Sequence, residues 1–206
     1  MMRAALLCIC LLLAACLSQP HAPEPALYDL GIAAAPSAIP ARTNAAPVAV
    51  RVSVSARSWL DHTAMHYRLL YTDEHRTMSY AYARWIAPPA ELVGQRLRQK
   101  LVEGRGAART ASALEIAIEL EEYVQVFETP TQSFGRVSVH VRLPQASNAQ
   151  ATFTEQAAAP TPDAAGGVRA LAAATDAVVA RIVEWVGAGG EQEAQTQQQT
   201  AHPGVK

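Results

Sequence analysis

Between Leu114 and Leu143 the chain alternates apolar and polar residues in two successive runs, a pattern that demands paired strands. "LEIAIELEEYVQVF" carries Leu114, Ile116, Ile118, Leu120, Val124 and Val126 at even positions, and "FGRVSVHVRL" carries Val137, Val139, Val141 and Leu143 at odd ones. A period of two places each set on one face of a strand. If the residues from Glu128 to Ser133, Pro130 included, form the loop, Phe127 faces Phe134, Val124 meets Val137, Leu120 meets Val141 and Ile118 meets Leu143. On the other face the same register sets Glu121 beside His140 and Glu119 beside Arg142. Glu122 then falls on the apolar face opposite Val139, a placement that suits a sheet margin.

The remaining elements follow from shorter patterns. In "PVAVRVSVS", Val48, Val50, Val52 and Val54 share one face of a half-buried strand, with Arg51, Ser53 and Ser55 on the other. In "MHYRLLYTDEHRTMSYAYARW", Thr72 to His75 divides two aromatic-rich runs; as a loop it sets Tyr71 against Arg76, Leu69 against Met78, Tyr67 against Tyr80 and Met65 against Tyr82. After Pro88 and Pro89, "AELVGQRLRQKLVEG" spaces Val93, Leu97 and Leu101 by four and stops at Gly104, as a helix does. A second helix, "GGVRALAAATDAVVARIVEWVGAGG", gathers Val168, Leu171, Thr175, Val178, Ile182 and Trp185 on one stripe, leaving Arg169, Asp176 and Glu184 away from it. "LYDLG" at Leu27 to Gly31 reads as a short docking strand and "ATFTEQ" at Ala151 to Gln156 as an edge strand. The fold class expected is α+β: a single domain with a largely antiparallel sheet and two main helices on one face.

The ends carry a different kind of information. Met1, Met2 and Arg3 precede an apolar run from Ala4 to Leu13, too short to span a bilayer as a helix but suited to a secretory signal. Leu13-Ala14-Ala15-Cys16 resembles the lipobox of bacterial lipoprotein precursors. That resemblance implies cleavage after residue 15, acylation of Cys16, palmitate among the chains attached, and a durable anchor, since several acyl chains hold where one holds only marginally. Leu17 and Ser18 follow, with no aspartate to retain the product at the inner membrane, so the implied address is the periplasmic face of the outer membrane. The organisation expected is a signal peptide at residues 1–15, a lipidated Ala/Pro-rich tether at 16–26, a domain at 27–188 and a disordered tail at 189–206. About eleven tether residues at roughly 3.1 Å each reach about 35 Å.

Composition narrows the chemistry. The cysteines are Cys8, Cys10 and Cys16, so no disulfide can form within the mature chain and no thiolate is left for catalysis or zinc. Loss of Arg3 with the signal leaves 16 basic against 18 acidic residues, a balance of −2 that gives no electrostatic case for nucleic acid or anionic lipid. His21, His62, His66, His75, His140 and His202 are scattered; His62 and His66 have metal-site spacing for a helix, but the stretch reads as strand. Glu115, Glu119 and Glu121 line a solvated strand face with basic residues opposite, which is not an acid/base pair. No Gly-x-Ser-x-Gly elbow, phosphate loop or dinucleotide fingerprint occurs. The expectation is a protein that is not an enzyme, takes no cofactor and no metal, and acts through position and contact.

One segment carries a family resemblance. "LYDLG", a valine-rich strand and "HYRLLYTDEHRTMSYAYARWIAPPAELVGQRLRQKLVEG" resemble the ABC-type transport auxiliary lipoproteins, the PqiC-like family, in which an aromatic hairpin runs through a Trp-x-x-Pro segment into an amphipathic helix. Here the junction is Trp85-Ile86-Ala87-Pro88-Pro89, followed by Leu92, Leu97 and Leu101. A departure lies at "SVSARSWLDHTAMHY", where Trp59, Leu60 and Asp61 stand in place of the family's Leu-Pro-x-x-Leu turn. The resemblance implies an outer-membrane-anchored auxiliary subunit of an MCE/ABC lipid transport system that serves membrane integrity. Its partners would be an MCE-type periplasmic protein and an ABC permease and ATPase, with self-association open. The alternative is a lipoprotein assisting outer-membrane assembly, of lipopolysaccharide or β-barrel proteins. Tyr67, Tyr71, Tyr80 and Tyr82, with Trp85, are the candidate partner-binding residues, because such side chains join large contact area to a polar tip.

Overall fold

The computed structural model describes residues 23–32, 50–103, 114–145 and 149–188. Cys16, the signal segment, most of the tether and the tail fall outside the described residues. The elements are β1 (Ala26–Tyr28), β2 (Val50–Ala56), a 3-10 turn (Ser58–Leu60), β3 (Ala64–Leu69), β4 (Asp73–Trp85), α1 (Pro89–Glu103), β5 (Leu114–Thr129), β6 (Gln132–Leu143), β7 (Ala149–Ala158) and α2 (Ala164–Gly187). They form one α+β domain with a seven-stranded sheet in the order β1-β4-β3-β5-β6-β7. The long ladders β5–β6 and β6–β7 are antiparallel, as is β3–β4. The sheet is nonetheless mixed. β2 pairs with Leu114–Leu120 of β5 and β3 with Gln125–Phe127, both in parallel, so β2 and β3 act as one interrupted strand along one edge of β5.

Both helices cover the face that the valine and isoleucine alternation turns inward. Val93, Leu97 and Leu101 of α1 and Leu171, Val178, Ile182 and Trp185 of α2 close the core over Val137, Val139, Val141 and Phe153. α1 starts at Pro89, whose missing N–H is harmless in a first turn, with Glu91 near its N-terminus and Lys100 near its C-terminus to suit the helix dipole. α2 is capped by Asp163, whose carboxylate accepts the Gly166 N–H at 2.7 Å. Gly135 lets α2 lie close on β6, because a Cβ there would stand 2.6 Å from the Leu171 backbone nitrogen. β1 docks in parallel on Ala83–Trp85. It begins just after Pro25 and Pro23, which have no N–H to extend the ladder along β4.

Two expected registers differ from those observed. In the first hairpin the turn is Leu70 to Thr72, and Tyr67 pairs with Met78, not Tyr80. That two-residue slip preserves the faces. Farther along, Tyr80 to Ala83 of β4 span the single residue Met65 of β3, a bulge that buries Met65 and leaves Tyr82 outside. In the second hairpin the connection is Pro130-Thr131, because the Thr129 hydroxyl accepts the Thr131 and Gln132 N–H groups and completes a short turn. Ile118 accordingly meets Val141 and Glu119 meets His140.

A bulge at Glu121 then changes the parity. Glu122 meets Ser138 and Tyr123 meets Val137, so the helix-facing set passes from Ile116, Ile118 and Leu120 to Tyr123, Gln125 and Phe127. Glu122 is therefore not on the apolar face at a margin. It lies on the outer face, 2.8 Å from Arg136 Nε and 3.3 Å from Arg68 Nη1. Val124 and Val126 turn outward with it, opposite Arg136 and Arg68, whose long stems leave the valines almost without solvent.

Candidate functional site

The five aromatic candidates do not form one surface. Trp85 ends β4 with its side chain inward, 1 % exposed and edge-on to Tyr123 at 5.4 Å, so it is a core residue and offers nothing to a partner. Tyr67 and Tyr80 are half-buried neighbours at 4.7 Å, and Tyr67 also meets Phe127 edge-on at 6.0 Å. The Tyr80 hydroxyl donates to Gln125 Oε1 at 2.8 Å, and Gln125 Nε2 donates to Ser133 Oγ at 2.9 Å. Gln125 is enclosed, and the bare Gly167 of α2 makes room for its amide. This satisfied chain is worth more as packing than as a contact surface. Burial, with Tyr67 and Asp163 nearby, pushes the Tyr80 hydroxyl well above the usual phenol range, so it stays a donor. Tyr71 and Tyr82 are open, at 49 % and 59 % exposed. Tyr71 sits in the β3–β4 turn beside the exposed Leu70, and Tyr82 lies in the bulge near the other end of β4.

The outer face of the sheet is charged and internally matched. Arg57 reaches Glu121 at 3.3 Å and Glu119 at 4.0 Å, and Ser138 Oγ donates to Glu121 at 3.4 Å. Trp59 and His62 both pack on His66 next to it, with ring centroids 5.6 Å and 5.0 Å from the His66 ring. Desolvation and the neighbouring His62 hold the His66 imidazole below its ordinary pKa, against opposing backbone hydrogen bonds at Met78 and Trp59. Among the described residues no group of His, Cys, Asp or Glu is placed to hold a metal ion, and no helix is long and apolar enough to cross a membrane.

Two features lay outside the sequence reading. Arg96 of α1 is 3 % exposed; its Nη2 donates to the carbonyls of Leu30 at 2.6 Å and Gly31 at 3.1 Å, and its Nε lies 3.2 Å from Asp176 Oδ1 of α2. It clamps the segment after β1 across both helices. A buried arginine inside an amphipathic helix leaves no mark in the apolar spacing, and only the placement of Asp176 on α2 discloses it. The second feature is an open groove of about 340 Å³, lined by Leu27 to Gly31, Ile86, and Val168, Arg169 and Ala172 of α2.

The fold has known counterparts. The chain superposes on the crystal structure of protein XCC0632 from Xanthomonas campestris, of the family model DUF330, with a TM-score of 0.67 at 18% identity, covering 82% of this chain and 99% of that one. A crystal structure of an uncharacterized protein gives a TM-score of 0.54 at 11% identity over 80% of this chain and 99% of that one. At these identities the likeness is one of fold. No family model and no curated protein matches the chain.

Proposed function

We propose that this chain is an auxiliary lipoprotein of an MCE/ABC-type transport system for lipids or related hydrophobic molecules. In this reading Cys16 fixes it to the periplasmic face of the outer membrane, and the folded domain docks an MCE-type periplasmic partner without catalysing a reaction. The observation that carries the reading is the aromatic hairpin, Trp85-x-x-Pro88 junction and following helix, which resemble the PqiC-like lipoproteins. In the structure Trp85 is buried in the core and Pro89 opens α1, which is consistent with that junction being a packing motif. The fold likeness to a DUF330 protein supports the same reading, since DUF330 corresponds to the PqiC-like family.

Of the aromatic candidates, Tyr71 with Leu70 at the β3–β4 turn, and Tyr82, remain as partner contacts. Capture of MCE-type proteins from the same cell by the purified domain without its anchor, residues 22–188, tests the reading, with Tyr71→Ala expected to weaken capture. Reproducible capture of outer-membrane assembly proteins alone would replace it with the assembly function.

A further inference from the structure

The groove beside β1 lies where the chain enters the domain. Leu27 and Ile86, both lining it, are 66 % and 62 % exposed, and Val168, Ala172, Tyr28 and Leu30 add apolar surface around the same concavity. Single exposed apolar side chains are ordinary, but several around one groove mark a contact surface. The backbone of the patch is also tied to the rest of the domain. Ile86 N–H donates to the Tyr28 carbonyl at 2.8 Å, β1 is held in register on β4, and Arg96 holds the carbonyls of Leu30 and Gly31 from behind. A preformed surface loses little freedom on binding.

The chain outside the structure indicates the occupant. Ala26 follows Cys16 by only ten positions, three of the intervening residues being Pro20, Pro23 and Pro25. Ten such steps reach at most roughly 36 Å, at about 3.6 Å per residue for a fully extended chain. The groove begins one residue beyond the end of that tether, so the anchor holds it against the bilayer at an effective concentration in the millimolar range. A contact too weak to recruit the free domain is then occupied most of the time.

We propose that the groove bordered by Leu27, Ile86, Val168 and Ala172 rests on the bilayer that carries the anchor, inserting Leu27 and Ile86 into its interfacial region and setting the orientation of the domain on the membrane. This rests on the reading that Cys16 is acylated. The contact is apolar, not electrostatic: Arg169 and Asp29 at the groove have opposite signs, and the chain after the signal carries a balance of only −2, with 16 basic and 18 acidic residues. Docking is therefore insensitive to salt and to the anionic lipid content, unlike that of a polybasic surface.

The test uses the full acylated chain on phosphatidylcholine vesicles, with a nitroxide on Ile86→Cys or, for comparison, on Tyr71→Cys in the β3–β4 turn. Cys8 and Cys10 leave with the signal and the Cys16 sulfur is alkylated, so each introduced thiol is the one available for labelling. The label at 86 should be several-fold more accessible to oxygen, relative to a water-soluble nickel chelate, than the label at 71, and the ratio should persist in high salt. Leu27→Glu, at a position open enough to accept it, should return the label at 86 to water while leaving the circular dichroism spectrum unchanged. An aqueous label at 86 on protein whose acyl mass is confirmed overturns the docking and leaves the anchor standing. Protein lacking the acyl mass removes the anchor reading and the docking with it. Dipolar coupling between labels at 86 on different copies, without lipid access, assigns the groove to a second copy and equally overturns the proposal.

Discussion

Arg96 shows how one side chain can decide whether an element stays attached. Its guanidinium is out of water, and in exchange it holds two carbonyls of the post-β1 segment and the Asp176 carboxylate. Arg96→Ala would leave those oxygens without their partner, so stability should fall by about 2–3 kcal/mol, nearer the cost of breaking a buried pair than a surface one. Urea melts measure this, and limited proteolysis within residues 23–32 should speed up as the segment detaches. Arg96→Lys should not restore full protection, because an ammonium lacks the planar fork that reaches three oxygens. His66 gives a second residue-scale expectation. Burial, then His62, lowers its pKa below the ordinary 6.5, so the unfolded chain binds the proton more readily than the folded one. Stability should therefore be full above about pH 6.5 and fall as pH drops through the window between that value and the lower folded one. His66→Gln should flatten that slope; an unchanged slope would assign the pH dependence elsewhere. Neither role shows in the sequence, where Arg96 is one of several basic residues on a helix and His66 one of six scattered histidines.

At the scale of elements, what alternation specifies and what it omits separate cleanly in β5. The even residues from Leu114 to Leu120 read inward in the sequence and are inward in the structure, because period-two patterning needs no knowledge of the partner strand. Beyond Glu121 the same count fails. The bulge is fixed by what lies across the strand: Arg57 N–H on the Leu120 carbonyl, the Arg57 guanidinium on Glu121, and Tyr123 reaching Thr175 of α2. None of these is a local signal. The helices were more legible, since Pro89 and the four-residue spacing of Val93, Leu97 and Leu101 mark α1 without any partner. The faces of β5 predict a sharp contrast. Ile118→Asp puts a charge at a fully enclosed position and should destabilise the domain by several kcal/mol. Glu119→Ala removes a side chain 4.0 Å from Arg57 that is 39% exposed, and should cost less than about 1 kcal/mol. Equal shifts in the urea midpoint would reject the assigned faces.

At the scale of the molecule, the two proposed contacts lie at opposite ends of β4. Leu27 and Ile86 lie where β1 docks at its C-terminal end, and Leu70 and Tyr71 lie in the turn before its N-terminal end, so the proposed membrane and partner contacts would be kept apart along one strand. The candidate site was legible only in part: the sequence located the aromatic hairpin, but bulges and core packing decided that Trp85, Tyr67 and Tyr80 turn inward. The proposed anchor rests on the sequence alone, as Cys16 lies outside the described residues, and its consequence would be quantitative. A groove that buries a few apolar side chains gains about 1.5–3 kcal/mol for each at most. Free association with a membrane forfeits a comparable amount in lost translational and rotational freedom, of order 4–15 kcal/mol for protein partners. Several acyl chains on one cysteine, at about 0.8 kcal/mol per buried CH2, exceed that loss by a wide margin. On this proposal the groove would orient the domain and the acyl chains would hold it. Cys16→Ser should therefore abolish labelling by a fatty-acid analogue and shift the exported protein from the membrane fraction to the soluble one, even with Leu27 and Ile86 intact. A Cys16→Ser protein that still resists alkaline carbonate extraction would show that something other than the acyl anchor carries the attachment.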